Sequence, residues 1–136
     1  IIYGGSHQVA TAVIEVNKKF PNIRSGLNIK FNPKIISKAR SCGLTVLNYD
    51  RGKEPKKSKQ REGSSIKWGI NHAVKSKSPD LIYHKGDVGK EPMILIFGEK
   101  PNDVIKKICC KQNHQASIRR GVANTSNIVE YFLFKT

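Results

Sequence analysis

Two short apolar runs, Leu81-Ile-Tyr and Met93-Ile-Leu-Ile-Phe, stand either side of a polar turn from His84 to Pro92 that carries Gly86 and Gly89. Runs of this length bounded by turn residues read as strands, and so short a connection can only join them antiparallel. The remaining segments alternate between helix-period and strand-period patterns, which points to strands linked by helices. One hairpin set into that alternation predicts an α/β domain with a mixed sheet covered by helices.

Around the hairpin, Ile1 to Tyr3 reads as the end of a strand and Gly4-Gly5-Ser6 as a tight turn. From His7 to Phe20 the residues Val9, Ala12, Val13 and Val16 recur at helical spacing, with Ser6 as N-cap and Pro21 as the stop. Ile23 to Phe31 alternates as a strand, with Gly26 as a weak point or bulge. Asn32-Pro33 sets an N-cap and a first-turn proline, and the helix it opens runs to about Cys42, stopped by Gly43. Leu44 to Tyr49 is a further strand. Ser64-Ser65 precedes a short helix through Trp68 and Val74; Asp103 to Lys111 is helical, and Ile128 to Phe134 strand-like. Asp50 to Lys67 breaks the pattern: basic residues, Gly52, Pro55 and Gly63, and almost nothing apolar predict a mobile loop.

Charge bears on partners. The 136 residues carry 25 Lys+Arg against 10 Asp+Glu, a formal +15 that attracts any polyanion. The length suits one domain. The longest apolar run, about Met93 to Phe97, falls far short of the roughly 20 residues of a membrane helix, and no signal-peptide pattern opens the sequence. Cys42, Cys109 and Cys110 form no disulfide framework and no zinc spacing; buried inert thiols in a reducing, cytoplasmic setting are expected. A Walker A loop, a Gly-x-Ser-x-Gly elbow and a His-Glu-x-x-His helix are all missing.

Three stretches can carry chemistry. The turn packs His84, Lys85, Asp87, Lys90 and Glu91 beside two glycines, whose backbone amides can form an anion nest; Asp87 is the one candidate ligand for a divalent metal facing a phosphate. A polar hairpin tip explains the same residues. Gly4, Gly5, Ser6 and His7 at a helix start offer unpaired N–H groups to a phosphate, or simply a capped turn. Arg51 follows a strand and can clamp phosphate, and His72 follows Trp68-Gly69 and can bind phosphate or move protons; as bare residues they are the first charge of a loop and a helix-surface histidine.

Arg24-Ser-Gly-Leu-Asn-Ile-Lys, Tyr49-Asp-Arg, Trp68-Gly-Ile and, above all, the stretch from Asp80 through Gly-Asp-Val-Gly-Lys-Glu-Pro-Met to Ile94 resemble, in order and spacing, the ThiN-type thiamine-phosphate synthase domain. The resemblance covers roughly residues 3 to 111 and assigns a domain to 1–111, leaving 112–136 as an extension of uncertain status. It implies a three-layer α/β/α fold with a mixed sheet, like the class II aldolase/adducin fold. It implies the joining of hydroxymethylpyrimidine diphosphate to hydroxyethylthiazole phosphate, giving thiamine monophosphate and pyrophosphate, with Mg²⁺ as cofactor. Arg51 and His72 become the catalytic candidates. His84, Asp87, Gly89 and Lys90 line the anion site, and Gly5, Ser6, His7 and Asn28 form the opposite wall. Lys30 stands where similar sequences often carry Arg.

In archaea such domains usually follow a ribokinase-like hydroxymethylpyrimidine phosphate kinase in one chain. The absent initial Met predicts a piece of such a fusion. A homo-oligomer is left open, and no membrane partner is expected. Two other readings stand beside the enzyme. Similar domains fused to DNA-binding modules sense thiamine phosphates without turnover; the presence of both Arg51 and His72 favours catalysis. A nucleic-acid binder is the third, and the aromatic residues do not interleave with the basic stretch as stacking platforms would.

Overall fold

The computed structural model describes residues 7–61, 63–109 and 128–129. Its elements run α1 (His7–Lys19), β1 (Ser25–Lys30), α2 (Pro33–Ser41), β2 (Val46–Asn48), a 3₁₀ turn (Arg51–Lys53), α3 (Lys56–Lys59), α4 (Ser64–Ala73), β3 (Leu81–His84), β4 (Met93–Gly98), α5 (Pro101–Cys109) and β5 (Ile128–Val129). One sheet holds the strands in the order β2-β3-β4-β1-β5. β2 and β3 are parallel, and every other neighbouring pair is antiparallel. The expected hairpin is β3–β4, and the mixed sheet follows from it.

Strand alternation sorts the apolar residues onto two faces. On one face, Val9, Ala12, Val13 and Val16 of α1 and Ile66 and Ile70 of α4 close over Ile82, Leu95 and Phe97. On the other, Ile36 and Ala39 of α2 and Val104 of α5 cover Leu27, Ile29, Leu81, Ile94 and Ile96. Helices therefore flank the sheet on both sides. Among the described residues no helix is long and apolar enough to cross a membrane.

Local chemistry explains several element ends. Asn32 caps α2 by accepting from the Lys34 amide at 2.9 Å, with Pro33 in the first turn. Gly43, at φ 78°, ends it as expected. Gly26 is no bulge. It pairs regularly with Phe97, and a Cβ there would meet Val13 Cγ2 at 2.6 Å, so its bareness lets α1 lie close on β1.

The predicted loop from Asp50 to Lys67 is instead a run of short helices. Asp50 caps the 3₁₀ turn by accepting from the Gly52 amide at 2.8 Å. α3 buries no residue, so no hydrophobic period could reveal it. α4 starts at Ser64 itself, preceded by Gly63 at φ 78°. Cys42 and Cys109 are free and half-buried rather than buried. Ile1 to Ser6, the end of the last predicted helix beyond Cys109, the third cysteine and most of the predicted final strand lie outside the described residues.

Register brings several ends to one edge. Lys30 pairs with Met93, His84 pairs with Met93, and Asn48 pairs with Tyr83. The carboxyl ends of β1, β2 and β3 thus lie together. A turn bond from the Ile23 amide to the Phe20 carbonyl ties the end of α1 to the start of β1. α1 must then run back along β1, which delivers His7 to the same edge.

Candidate functional site

At this edge opens a cleft of about 500 Å³. Its walls come from the first turns of α1 (His7, Gln8, Thr11), the 3₁₀–α3 segment (Arg51, Lys59, Gln60, Arg61), the start of α4 (Gly63, Ser65, Ile66, Lys67) and Lys90 of the β3–β4 turn. Basic side chains come from four separate segments, and no carboxylate lines the cleft among the described residues. Crevices outside the carboxyl ends of strands are the usual ligand sites of α/β sheets.

Arg51 is the central side chain. It is only 8% exposed. Its Nη2 lies 3.8 Å from Glu54 Oε2, an ion pair too long for a hydrogen bond. Among the described residues the guanidinium donates no hydrogen bond, so its fork of donors is unspent. Glu54 is enclosed: Oε1 accepts from Ser65 Oγ at 2.5 Å, and Oε2 is buried without a hydrogen-bond partner. This carboxylate holds the guanidinium's charge from behind while the donors stay available in front.

Behind Arg51 lies a chain of rings. Tyr49 packs against His84 at 5.3 Å between centroids and edge-on to Trp68 at 6.2 Å. Trp68 stacks on His72 at 5.0 Å with 15° between the planes. The Tyr49 hydroxyl is buried without a partner, and burial pushes its pKa up to about 12. It is a fixed neutral prop.

The structure unites some of the sequence candidates and separates others. Arg51, His7 and Lys90 share the cleft. His72 is not in its walls; it sits five residues beyond Lys67, the last α4 residue of the wall, about 7.5 Å along the helix, exposed and stacked on Trp68. Asn28 lies on β1 between two residues of the α2–α5 cluster, so it faces the α1 side, but it does not line the cleft. Gly5 and Ser6 lie outside the described residues.

His84 does not line an anion site. It is 1% exposed, and its Nδ1 accepts from the Gly86 amide at 3.1 Å, which shapes the turn. The expected anion nest loses several of its donors as well. The Asp87 and Lys90 amides bond to each other's carbonyls, at 3.2 and 2.8 Å, and the Val88 amide donates to Asp87 Oδ1 at 2.9 Å. With Gly86 committed to His84, the amides of Gly86, Asp87, Val88 and Lys90 are spent inside the turn. Gly89, at φ 72°, supplies the bend. Asp87 is bound by Lys59 Nζ at 2.6 Å, and that hydrogen bond holds its carboxyl below the usual range. Among the described residues no three His, Cys, Asp or Glu side chains gather to hold a metal.

Sequence reasoning missed Lys59, Arg61, Lys67, Glu54 and Ser65. The first three were assigned to a solvated loop. The Glu54 pairing had one available signal, the i,i+3 spacing from Arg51 after an Asp that can cap a turn.

Burial, followed by repulsion from Arg51, lowers the His84 pKa from 6.5 to about 4. Between those values the unfolded chain binds more protons than the folded one. Stability from this group is therefore full above about pH 6.5 and falls as pH drops toward 4. The loss between pH 7 and pH 5 should be about 2 kcal/mol. Urea unfolding of wild type and His84→Phe at both pH values checks it: the variant should lack this share of the acid sensitivity, and equal pH slopes would refute the assignment.

Fold and cleft together define an α/β domain that presents clustered cations at the carboxyl edge of a mixed sheet, arranged for an anionic small molecule. A profile of the family described as thiamine-phosphate synthase ThiN matches residues 1–110. The chain belongs to that family. It is 44% identical over 104 residues to the thiamine-phosphate synthase ThiN of Methanothermobacter thermautotrophicus, across 75% of this chain and 55% of that protein. It is 34% identical over 110 residues to the bifunctional thiamine biosynthesis protein ThiDN of Methanocaldococcus jannaschii, across 79% of this chain and 25% of that protein. The crystal structure of the C-terminal domain of a phosphomethylpyrimidine kinase matches with a TM-score of 0.73 at 42% identity, covering 79% of this chain and 61% of that one. The chain thus spans about half or less of the length of these curated relatives.

Proposed function

We propose that this chain is a thiamine-phosphate synthase domain that joins hydroxymethylpyrimidine diphosphate to hydroxyethylthiazole phosphate. The carbon–oxygen bond to the diphosphate breaks, and the electron pair leaves with the pyrophosphate. The pyrimidine ring stabilises the carbon left behind, and the thiazole nitrogen supplies the pair for the new carbon–nitrogen bond. Such a reaction needs positive charge on the leaving group and alignment of two rings more than it needs a nucleophile. The observation that carries this reading is Arg51: nine-tenths buried, its charge backed by Glu54, its donors unspent in a cleft of cations. Lys90, Lys67 and Arg61 extend the charge along the cleft, and Lys59 shares its own with Asp87. His72 stacks on Trp68 outside the cleft walls, and no contact with either substrate is assigned to it.

Magnesium, which the resemblance implies, meets no cluster of three His, Cys, Asp or Glu side chains among the described residues, and one carboxylate beside Arg51, Asp50. Mg²⁺ takes one or two carboxylates with substrate phosphates. Glu54 is enclosed and Asp87 is occupied by Lys59, which leaves Asp50 as the side chain that would hold the ion against a substrate phosphate; no step is assigned to it. The same reading takes residues 1–111 as the catalytic unit, of class II aldolase/adducin-like fold, with a hydroxymethylpyrimidine phosphate kinase in the same chain and a cytoplasmic setting.

The purified chain, given both phosphorylated precursors, should form thiamine monophosphate. Binding of thiamine monophosphate without synthesis from the precursors would convert the reading to a sensor. Neither binding nor synthesis would remove it.

A further inference from the structure

We propose that a second cavity, on the other side of Arg51 and walled by Asn48, Tyr83 and Lys85, is a separate subsite for an aromatic ring bearing a phosphomonoester. The identity of its occupant, the thiazole phosphate, rests on the function proposed above. The cavity measures about 340 Å³, within the range of small-molecule sites, and Arg51 lines both it and the larger cleft.

Strand register separates the two spaces. Asn48 and Tyr83 are partners across β2 and β3, and Tyr83 packs with Phe31 on the α2 side of the sheet. The cleft opens on the α1–α4 side. Both reach the carboxyl edge, where the segment Tyr49 to Arg51 passes between them. Two substrates entering from opposite faces would have their rings meet at this edge with their phosphates held apart, which is the arrangement a joining reaction requires.

The chemistry of the walls suits one ring and one phosphate. Tyr83 is braced by Phe31, with ring centroids 5.7 Å apart. Its hydroxyl oxygen accepts from Asn48 Nδ2 at 3.2 Å and from Arg40 Nη2 at 3.4 Å. A phenol oxygen has two lone pairs and one proton. With both pairs engaged, the proton is left to donate to a ligand. Lys85 is exposed and forms no ion pair among the described residues.

Charge distinguishes the two spaces. The larger cleft offers Arg61, Lys67 and Lys90 beyond Arg51, enough for a diphosphate. The smaller offers two cations, Lys85 and Arg51, beside Asp50, a lower positive charge that suits a phosphomonoester better than a diphosphate. A diphosphate in the smaller cavity would leave more of its charge unmatched than a phosphomonoester would.

The test pairs steady-state kinetics with calorimetric titration of hydroxyethylthiazole phosphate into wild type, Lys85→Ala and Tyr83→Phe. Lys85 is exposed and Tyr83→Phe keeps the ring, so both variants should fold. Loss of a charge-assisted hydrogen bond should weaken thiazole phosphate about tenfold in Lys85→Ala. The KM for the pyrimidine diphosphate should stay within about twofold, since that substrate sits across Arg51. If wild type makes no product yet binds the thiazole phosphate through Lys85, the subsite stands and the synthase reading falls. If wild type makes product and Lys85→Ala changes neither KM, or raises that of the diphosphate alone, the subsite is overturned while the synthase reading stands.

Discussion

Arg51→Ala is expected to destabilise the fold by about 3 kcal/mol, more than the removal of both Arg51 and Glu54 together. The Glu54 side chain is fully enclosed, and the Arg51 guanidinium is its only charge partner among the described residues. Removing the arginine alone leaves a carboxylate in the interior with Ser65 as its remaining donor. Removing both deletes the buried charge along with its partner. Urea titrations of the two single variants and the double close a cycle, and the double should regain at least about 1 kcal/mol relative to the sum of the singles. Strict additivity would mean that Glu54 does not support Arg51. The cycle also decides how activity data are read, because loss of rate in Arg51→Ala alone would mix folding with catalysis.

Gly69→Ala should cost a further 1–3 kcal/mol, roughly the penalty of an overpacked core. A Cβ at Gly69 would run into the Tyr49 ring at Cε2 and Cζ. That ring is 5% exposed and backed by His84, so it has no room to withdraw. Alanine gains about 1 kcal/mol over glycine as a helix former, which is too little to offset the collision. Any shift of Tyr49 carries Asp50 and Arg51 with it. The denaturation midpoint should therefore fall together with the rate. A Gly69→Ala chain more stable than wild type would show that Tyr49 is not wedged against α4.

Much of the scaffold was legible because local chemistry and burial agree. Asn32-Pro33 and Gly43 frame α2 as their capping and turn preferences dictate, and β4 is apolar throughout because helices flank the sheet on both sides. The mixed topology followed from one short connection. Illegible were features that depend on what a segment meets in space. α3 has no buried side, so Lys56 to Lys59 cannot show a period. The glycine turn offered amides to an anion on paper, while its own carbonyls, the His84 ring and the Asp87 side chain take four of them in the fold. Burial of His84 was within reach: it follows Ile82 by two residues on the same strand face, so alternation places it toward the core.

Arg51 was named on resemblance, and its setting could not be read beforehand. The loop pattern hid both the carboxylate behind it and the cations of Lys59, Arg61 and Lys67 that share its cleft. His72 was grouped with Arg51 by the same resemblance, yet the fold seats it about one and a half helical turns beyond the cleft's α4 wall, on the Trp68 stack. The net charge of +15 thereby acquires a geometry. Part of it lines one cleft, and a net charge of this size raises the local concentration of anions around the protein.

The role of Arg51 at the centre of the cleft shows most directly in the rate of pyrophosphate release from hydroxymethylpyrimidine diphosphate in the presence of the thiazole phosphate, measured for wild type and for the Arg51→Ala/Glu54→Ala double variant. Wild type should release pyrophosphate in step with thiamine monophosphate. The folded double variant should be slower by about a hundredfold or more, the usual effect of removing a preorganised donor from a developing negative charge. Release by the double variant at the wild-type rate would contradict the account, because the cleft would then work without the side chain at its centre.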